Sequence, residues 1–283
     1  LEHLVRVATR EQADCILIAG DLFDSSTPAS DLFSRAMSVL AQAPCPVFLS
    51  PGKHDFIHAP SPYHTNVLPK NVHIFTATSL QSVHLNKDTA IWGAALQEQT
   101  TNIPLSHETF SHPINLCVLY SDLQSKTGCN HYTADDLAKS EFSYFAAGGS
   151  HAATGLQRTG RTVFCSSGGL AALSERETGA KGFLLIQIEN TIKAQFIESK
   201  AMQFAHIEID LTPIPSDVGL QKVLIDRIPK NPDHICASVV LTGERVYEPN
   251  VTALRRVLDQ VFLSCTVSNE TIPKKPLWRY LQQ

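Results

Sequence analysis

The chain contains 283 residues, 43% of them hydrophobic, and its 23 basic and 27 acidic residues leave a net charge of −4. This length allows one large domain with its own core and a second, smaller one. Because no apolar run approaches the roughly 18 residues of a membrane span and no secretory signal is recognisable, we expect no membrane segment and a cytoplasmic location. The nearly balanced charge excludes a protein that attracts nucleic acid through a strong basic field.

The first residues have the spacing of an amphipathic helix. Leu1, Leu4, Val5 and Ala8 follow the i, i+3, i+4, i+7 pattern, which places apolar side chains on one helical face. The sequence therefore predicts that the chain opens inside a helix.

Two junctions between a strand and a loop follow this helix. Residues 15–19 form an apolar run that is too short for a helix and stops at Gly20. The run at 47–49 stops in the same way before Gly-Lys-His-Asp at 52–55. Open α/β sheets carry their chemistry at the carboxyl ends of neighbouring strands, so Asp21 and the residues at 52–55 are candidate site residues.

The two motifs together resemble those of the calcineurin-like metallophosphoesterases, and within them the SbcD-type nuclease subunit of DNA double-strand-break repair. Residues 20–30, 142–151 and 175–183 also resemble segments of that group. The resemblance implies an α/β fold with a two-sheet metallophosphoesterase sandwich flanked by helices at residues 1–200, without the family's first strand and first motif. It further implies a small α+β capping domain at residues 201–283.

The resemblance also assigns roles to four residues around a pair of metal ions, usually manganese. Asp21 would bridge the two ions, and His151 would be a remaining ligand. His54 would stabilise or protonate the leaving oxygen without binding metal, and Asp55 would orient His54. One ion then activates water while both neutralise the charge that develops on the phosphate.

Three other ligand positions of the family carry residues that do not bind a second metal. Lys53 replaces an asparagine, Tyr120 a histidine, and Gly149 the first histidine of a Gly-His-x-His motif. A charged ammonium has no lone pair with which to ligate a cation. The comparison predicts loss of the second metal site, so that the protein holds one Mn²⁺ ion or none.

Lys53 has two interpretations. Its ammonium beside Asp21 would replace the charge of the missing ion and keep the carboxylate ionised. Alternatively, the side chain points to solvent, as loop lysines commonly do.

The remainder of the chain alternates strands and helices. We predict strands at 72–75, 83–85, 90–96, 114–119, 144–147, 206–211, 235–241 and 265–268, with further strands between 162 and 197 that complete the second sheet, and helices beginning near residue 30 and at 217–228 and 251–262. The basic cluster of Lys274, Lys275 and Arg279 is interpreted as a solvated tail.

Three classes of function remain open at this stage. The first is a catalytically impaired SbcD-like subunit that keeps contacts to DNA or to an SMC-like ATPase of the SbcC kind, with homodimerisation through the N-terminal helical region. The second is an active phosphodiesterase or nuclease with one Mn²⁺ ion, which needs an Asp-x-His motif upstream of residue 1. The third is a protein-interaction module unrelated to DNA.

Overall fold

The computed structural model describes residues 1–98, 102–105, 110–121, 123 and 129–274. Two compact units form the chain: residues 1–170 with 182–199, and residues 171–181 with 200 onward. The second unit thus includes a segment that the sequence analysis placed in the first, because Thr178 forms a parallel β-bridge with Phe204. Of the predicted basic cluster, Lys275 and Arg279 lie outside the described residues.

The first unit carries the elements nearest to the candidate site. Its helices are α1 Glu2–Arg10, α2 Ser30–Leu40, α3 Pro62–Thr65 and α4 Ala134–Ser140. Its strands are β1 Ile16–Ile18, β2 Val47–Leu49, β3 Val72–Ile74, β4 Gln81–His84, β5 Thr89–Gly93, β6 Ile114–Leu119, β7 Tyr144–Ala147, β8 Gln157–Thr159, β9 Thr162–Cys165, β10 Gly182–Ile188 and β11 Ile192–Glu198.

Two sheets pack face to face in this unit. One is the parallel sheet β1-β2-β3, and the other has six strands in the order β4-β5-β6-β7-β9-β8. Phe48 from the first sheet and Val118 from the second lie in the same buried cluster between them. Because side chains alternate along a strand, Leu49 and Leu119 face away from this cluster, toward helices.

Helices cover the outer face of each sheet. Val5 of α1 and Met37 of α2 pack with the strands of the three-stranded sheet, and Leu137 of α4 packs with those of the six-stranded sheet. This confirms the predicted α/β sandwich flanked by helices. The prediction that all strands between 162 and 197 complete the second sheet is wrong. Strands β10 and β11 instead pair with each other as a separate antiparallel sheet, with Gly182 opposite Glu198.

The second unit is a parallel β-α-β-α-β arrangement in the predicted order. Its elements are β12 Gln203–Asp210, α5 Asp217–Ile225, a 3-10 turn Pro232–His234, β13 Ile235–Thr242, β14 Glu244–Arg245, α6 Val251–Leu258, β15 Ser264–Asn269 and β16 Ile272–Pro273. Strands β12, β13 and β15 are adjacent in that order, and Val239 of the central strand packs with Leu220 and Leu254 of the two helices. Among the described residues, none of the helices has the length and apolar character needed to cross a membrane.

Candidate active site

Asp21 lies on a constrained loop at the carboxyl end of β1. Gly20 has φ +88° and Asp21 has φ +50°, which is an uncommon conformation for a residue with a side chain. A Cβ atom at Gly20 would lie 2.8 Å from the Cα of Gly52 and 2.8 Å from the Cβ of Tyr120. Glycine is therefore required here, because the loops after β1, β2 and β6 meet at this point.

The buried carboxylate of Asp55 joins the first two of these loops. It accepts hydrogen bonds from the backbone amides of Asp21 at 3.1 Å, Leu22 at 2.9 Å and Gly52 at 2.7 Å, and from the Tyr63 hydroxyl at 2.6 Å. Burial raises the pKa of Asp55, and the hydrogen bonds from Tyr63 and the backbone offset part of that rise. These contacts correct the predicted role, because Asp55 orients the Asp21 loop rather than the His54 ring.

His54 lies between two carboxylates. Its backbone amide donates to Oδ1 of Asp21 at 2.8 Å. Its ring nitrogens lie 4.0 Å from Oδ2 of Asp21 and 3.7 Å from Oδ1 of Asp24. The ring is partly exposed, so the arrangement offers an accessible imidazole with an acidic group on each side.

Asp21 itself is in an environment that disfavours its charge. Burial raises the pKa of Asp21 to about 6, although the hydrogen bond from the His54 amide acts in the opposite direction. The negative charges of Asp55 and Asp24 add to the rise, and the positive form of the His54 ring opposes it.

Among the described residues, no contact of Lys53 supports the role predicted for its ammonium. It is absent from the groups that shift the pKa of Asp21, and that pKa is raised rather than held down. The charge of Lys53 acts instead on Cys129, where it opposes the rise in thiol pKa that burial causes. Lys53 makes no hydrogen bond or ion pair with any residue of the described ranges, and its replacement of the missing ion's charge beside Asp21 stays a prediction.

Tyr120 fills the space beside Asp21. Its side chain is buried, and the amide of the buried Asn130 donates to its backbone carbonyl at 2.8 Å. A Cβ atom at Gly52 would overlap Oδ1 of Asp21 and lie 2.6 Å from Cδ2 of Tyr120. The tyrosine ring is thus packed directly against the glycines of both neighbouring loops.

The remaining two predicted site residues follow strand β7. Gly149 adopts φ +76°, and a Cβ atom at the preceding Gly148 would overlap the carbonyl of Ala19. His151 is exposed on the loop beyond them. Hydrogen bonds therefore link the Asp21 loop to both His54 and Asp55, whereas His151 lies on the separate loop that follows β7.

The donors present do not fit the metal pair that the family resemblance implies. Within the described ranges, no three histidine, cysteine, aspartate or glutamate side chains are grouped so as to hold a metal ion. Lys53, Tyr120 and Gly149 supply neither a carboxylate nor an imidazole. Asp21 and His151 thus keep their roles as ligands only as predictions.

Sequence analysis missed Tyr63 and gave Asp24 no role. Tyr63 follows Asp55 by eight residues, and no motif marks it; only its position on α3 brings the hydroxyl to the carboxylate. Asp24 has a visible signal, because it lies three residues after Asp21 in the Gly-Asp-x-x-Asp sequence.

Comparison with known proteins identifies the family to which this fold belongs. Residues 1–170 match the profile of the calcineurin-like phosphoesterases, a family that generally binds divalent metals. The chain is also 26% identical to a Bacillus subtilis (strain 168) protein named uncharacterized metallophosphoesterase YhaO, over 98% of this chain and 71% of that one. With its two-sheet sandwich and the loops that carry Asp21 and His54, the chain belongs to the calcineurin-like phosphoesterase family.

Proposed function

We propose that this protein is an SbcD-like member of the family that has lost two-metal phosphodiester hydrolysis and serves as a subunit that binds DNA or an ATPase partner. The observation that carries the proposal is the packing of Tyr120. Its buried ring lies against Gly20 and Gly52, beside the Asp21 carboxylate that would bridge two ions.

The chemistry of the replaced positions supports the loss of hydrolysis. A two-metal site must surround each ion with oxygen and nitrogen donors, so that both ions stabilise the displacement at phosphorus. At the three replaced positions there is an ammonium, a buried phenol and a residue without a side chain. Asp21 and His151 remain as predicted ligands, and two side chains are too few to hold two metal ions.

The residues now present at this edge suit binding better than hydrolysis. Lys53 and His54 lie next to each other at the carboxyl edge of the sheet, and both are at least partly accessible to solvent. A phosphate group in this position would meet one ammonium and one imidazole, which favours weak binding that salt disrupts. The proposed ATPase partner and homodimerisation rest on the SbcD resemblance alone.

Hydrolysis with one metal is the second candidate, and the contact between Asp21 and His54 favours it. In this case Asp21 would ligate one Mn²⁺ ion and His54 would protonate the leaving oxygen. The proximity of their side chains, 4.0 Å between Nε2 and Oδ2, is compatible with those roles.

The first test compares the native protein with a variant that restores the missing donors, Lys53→Asn/Tyr120→His/Gly149→His. We expect the native protein to bind fewer than two Mn²⁺ ions per chain and not to hydrolyse bis(p-nitrophenyl) phosphate or DNA. The restored variant should bind more Mn²⁺ than the native protein. Two ions and hydrolysis in the native protein, abolished by His54→Ala, would overturn the proposal; one ion with such hydrolysis would establish the second candidate.

DNA binding is tested separately with fluorescein-labelled single-stranded and duplex oligonucleotides at several salt concentrations. We expect weak anisotropy changes that fall steeply with salt and decrease further in Lys53→Ala. Arg6→Ala, which removes one exposed positive charge from α1, is the matched control. Absence of binding at low salt would exclude DNA as the ligand and leave the ATPase partner or the protein-interaction class.

A further inference from the structure

A second cleft lies at the opposite end of the strands from Asp21. It has a volume of about 490 Å³ and is lined by Ile114, where β6 begins, and by Ser143, which immediately precedes β7. Asp21 and Tyr120, in contrast, follow the carboxyl ends of β1 and β6. Because β6 has six residues and a strand rises by about 3.3 Å per residue, the two places are roughly 20 Å apart along the sheet.

Two arginines of the β8–β9 hairpin line this cleft. Arg158 lies on β8 and Arg161 in the turn that leads to β9, and both are exposed. Neither guanidinium has a hydrogen-bond or ion-pair partner among the residues that the structure describes. A guanidinium presents several donors in a planar fork that matches a phosphate or carboxylate, so two unpaired arginines in one cleft favour such an anion.

Two carboxylates line the same cleft. Glu141 follows α4, and Glu189 lies in the turn between β10 and β11. Neither carboxylate is hydrogen-bonded to, or ion-paired with, a residue in the described part of the chain. An anion without hydrogen-bond donors would make no favourable contact with these carboxylates. Sugar hydroxyls or amino groups, in contrast, readily donate hydrogen bonds to them. The ligand should therefore combine an anionic group with hydrogen-bond donors.

Apolar side chains complete the lining. Phe110 contacts Trp92 and Phe142, with ring centroids 5.6 and 5.3 Å apart, and Ile188 and Ile192 come from the β10–β11 hairpin. An aromatic ring fixed by its neighbours offers a flat apolar surface on which a planar base stacks. The cleft is thus lined by three kinds of group, each suited to one part of a nucleotide.

His112 also lines the cleft, but its ring is already engaged. Nε2 lies 2.8 Å from Nδ1 of His84, and Nδ1 lies 2.9 Å from the Ser111 hydroxyl. We therefore assign the imidazole to the wall of the cleft and not to the recognition of a ligand.

We infer that this cleft binds a nucleotide bearing a terminal phosphate, with Arg158 and Arg161 on the phosphate, Glu141 and Glu189 on donors of the sugar or base, and Phe110 beside the base. The volume lies within the range of small-molecule sites, about 300–1,000 Å³. The nucleotide is either free or the 5′-terminal residue of a DNA strand. This inference does not depend on the function proposed for the Asp21 edge.

The test uses isothermal titration of the whole protein with 5′-AMP, adenosine and inorganic phosphate. We expect 5′-AMP to bind more tightly than either of the other two. Arg158→Ala/Arg161→Ala should weaken 5′-AMP binding by about tenfold or more, since each charge-assisted pair contributes strongly. Arg6→Ala/Arg35→Ala removes two exposed arginines of α1 and α2 and should leave binding unchanged.

Substitution of the two carboxylates that line the cleft provides an independent test. In Glu141→Gln/Glu189→Gln, 5′-AMP should lose its advantage over inorganic phosphate, because the acceptors for sugar or base are weakened while the arginines remain. Equal binding of 5′-AMP before and after the double arginine substitution would overturn the inference, as would no binding of 5′-AMP at millimolar concentration. Oligonucleotides with and without a 5′-phosphate then distinguish the sources: selective binding of the phosphorylated strand supports a strand end, and binding of 5′-AMP alone supports a free nucleotide.

Discussion

Polar groups at the two ends of the strands in the first unit differ in whether they have hydrogen-bond partners within the protein. At the carboxyl edge, Asp55 receives hydrogen bonds from two loops and from Tyr63, and glycines allow the loops to meet. At the amino edge, Arg158 and Glu141 line a cleft with no partner in the described ranges. The buried carboxylate at the carboxyl edge is therefore satisfied within the protein, while the charged groups of the cleft at the amino edge stay available for a ligand.

This difference shows that a match to a family motif and the presence of unpaired polar groups are separate signals of function. The family resemblance predicts a metal ligand, Asp21, on the loop after β1. Here the loops after β1 and β2 keep their hydrogen bonds although Tyr120 occupies the space beside Asp21. The hydrogen bonds to Asp55 thus give this motif residue a structural role that does not depend on catalysis.

Removal of the Asp55 carboxylate should destabilise the carboxyl edge more than any other change proposed below. Asp55→Ala leaves several buried amides and the Tyr63 hydroxyl without an acceptor, so we expect the free energy of unfolding to fall by about 3–5 kcal/mol. Tyr63→Phe removes one of those bonds and should cost about 1–2 kcal/mol. Both are measured by urea denaturation.

Arg158→Ala is the matched change at the opposite edge, and it should alter the free energy of unfolding by less than about 0.5 kcal/mol. A loss for Asp55→Ala no larger than that of Arg158→Ala would show that the carboxyl edge is not held together by this carboxylate.

A methyl group at Gly52 tests the close packing of the same edge. In Gly52→Ala the new Cβ would overlap Oδ1 of Asp21 and press on Tyr120, so we expect a loss of about 1–3 kcal/mol. Gly155→Ala is the control, because a Cβ atom there meets no atom within 4 Å. Thermal unfolding followed by circular dichroism compares the two variants, and equal melting temperatures would contradict the packing described here.

Loss of the N-terminal cap of α4 should have the smallest effect on the free energy of unfolding, and that effect should depend on pH. Thr133 accepts from the Asp136 amide at 3.2 Å, and its hydroxyl donates to the Asp136 carboxylate at 2.7 Å. The Thr133 backbone amide also donates to this carboxylate, at 2.8 Å, and the two hydrogen bonds to the carboxylate lower the pKa of Asp136 from 3.8. Their stabilisation is present above that pH and is lost as the pH falls through the lowered value.

Thr133→Ala should therefore cost about 1 kcal/mol at pH 7 and progressively less below pH 4. Ser216→Ala removes the cap of α5, where the serine oxygen accepts from the Gly219 amide and no carboxylate takes part. Denaturation at pH 7 and pH 3 should show a smaller change with pH for Ser216→Ala. An equal cost of Thr133→Ala at both pH values would exclude the contribution of Asp136.

Local sequence patterns were sufficient to predict the strands that position the site. Short apolar runs stopped by Gly20 and Gly52 predict strands that the structure has at Ile16–Ile18 and Val47–Leu49. The helix at the start of the chain is confirmed too, since Val5 and Ala8 are buried along one face of Glu2–Arg10.

The sequence does not predict which groups each polar side chain contacts in the folded protein. The family resemblance implies that Asp55 orients His54, but the carboxylate accepts hydrogen bonds from amides more than thirty residues away, those of Asp21 and Leu22. The effect of Lys53 on Cys129 rather than on Asp21 likewise depends on where distant loops meet. Pairing of β10 with β11 instead of the second sheet is a similar tertiary choice.

The first unit is built from two separate stretches of the chain, and this has a consequence for its synthesis on the ribosome. Leu184 and Ile186 of β10 pack against the buried cluster between the sheets, yet residues 171–181 that precede them belong to the other unit. At about 5–20 residues per second, translation of residues 171–199 takes roughly 1 to 6 s, during which this apolar surface has no cover. The nascent chain should therefore be most prone to aggregation, and most dependent on chaperones, just after Leu170 has emerged.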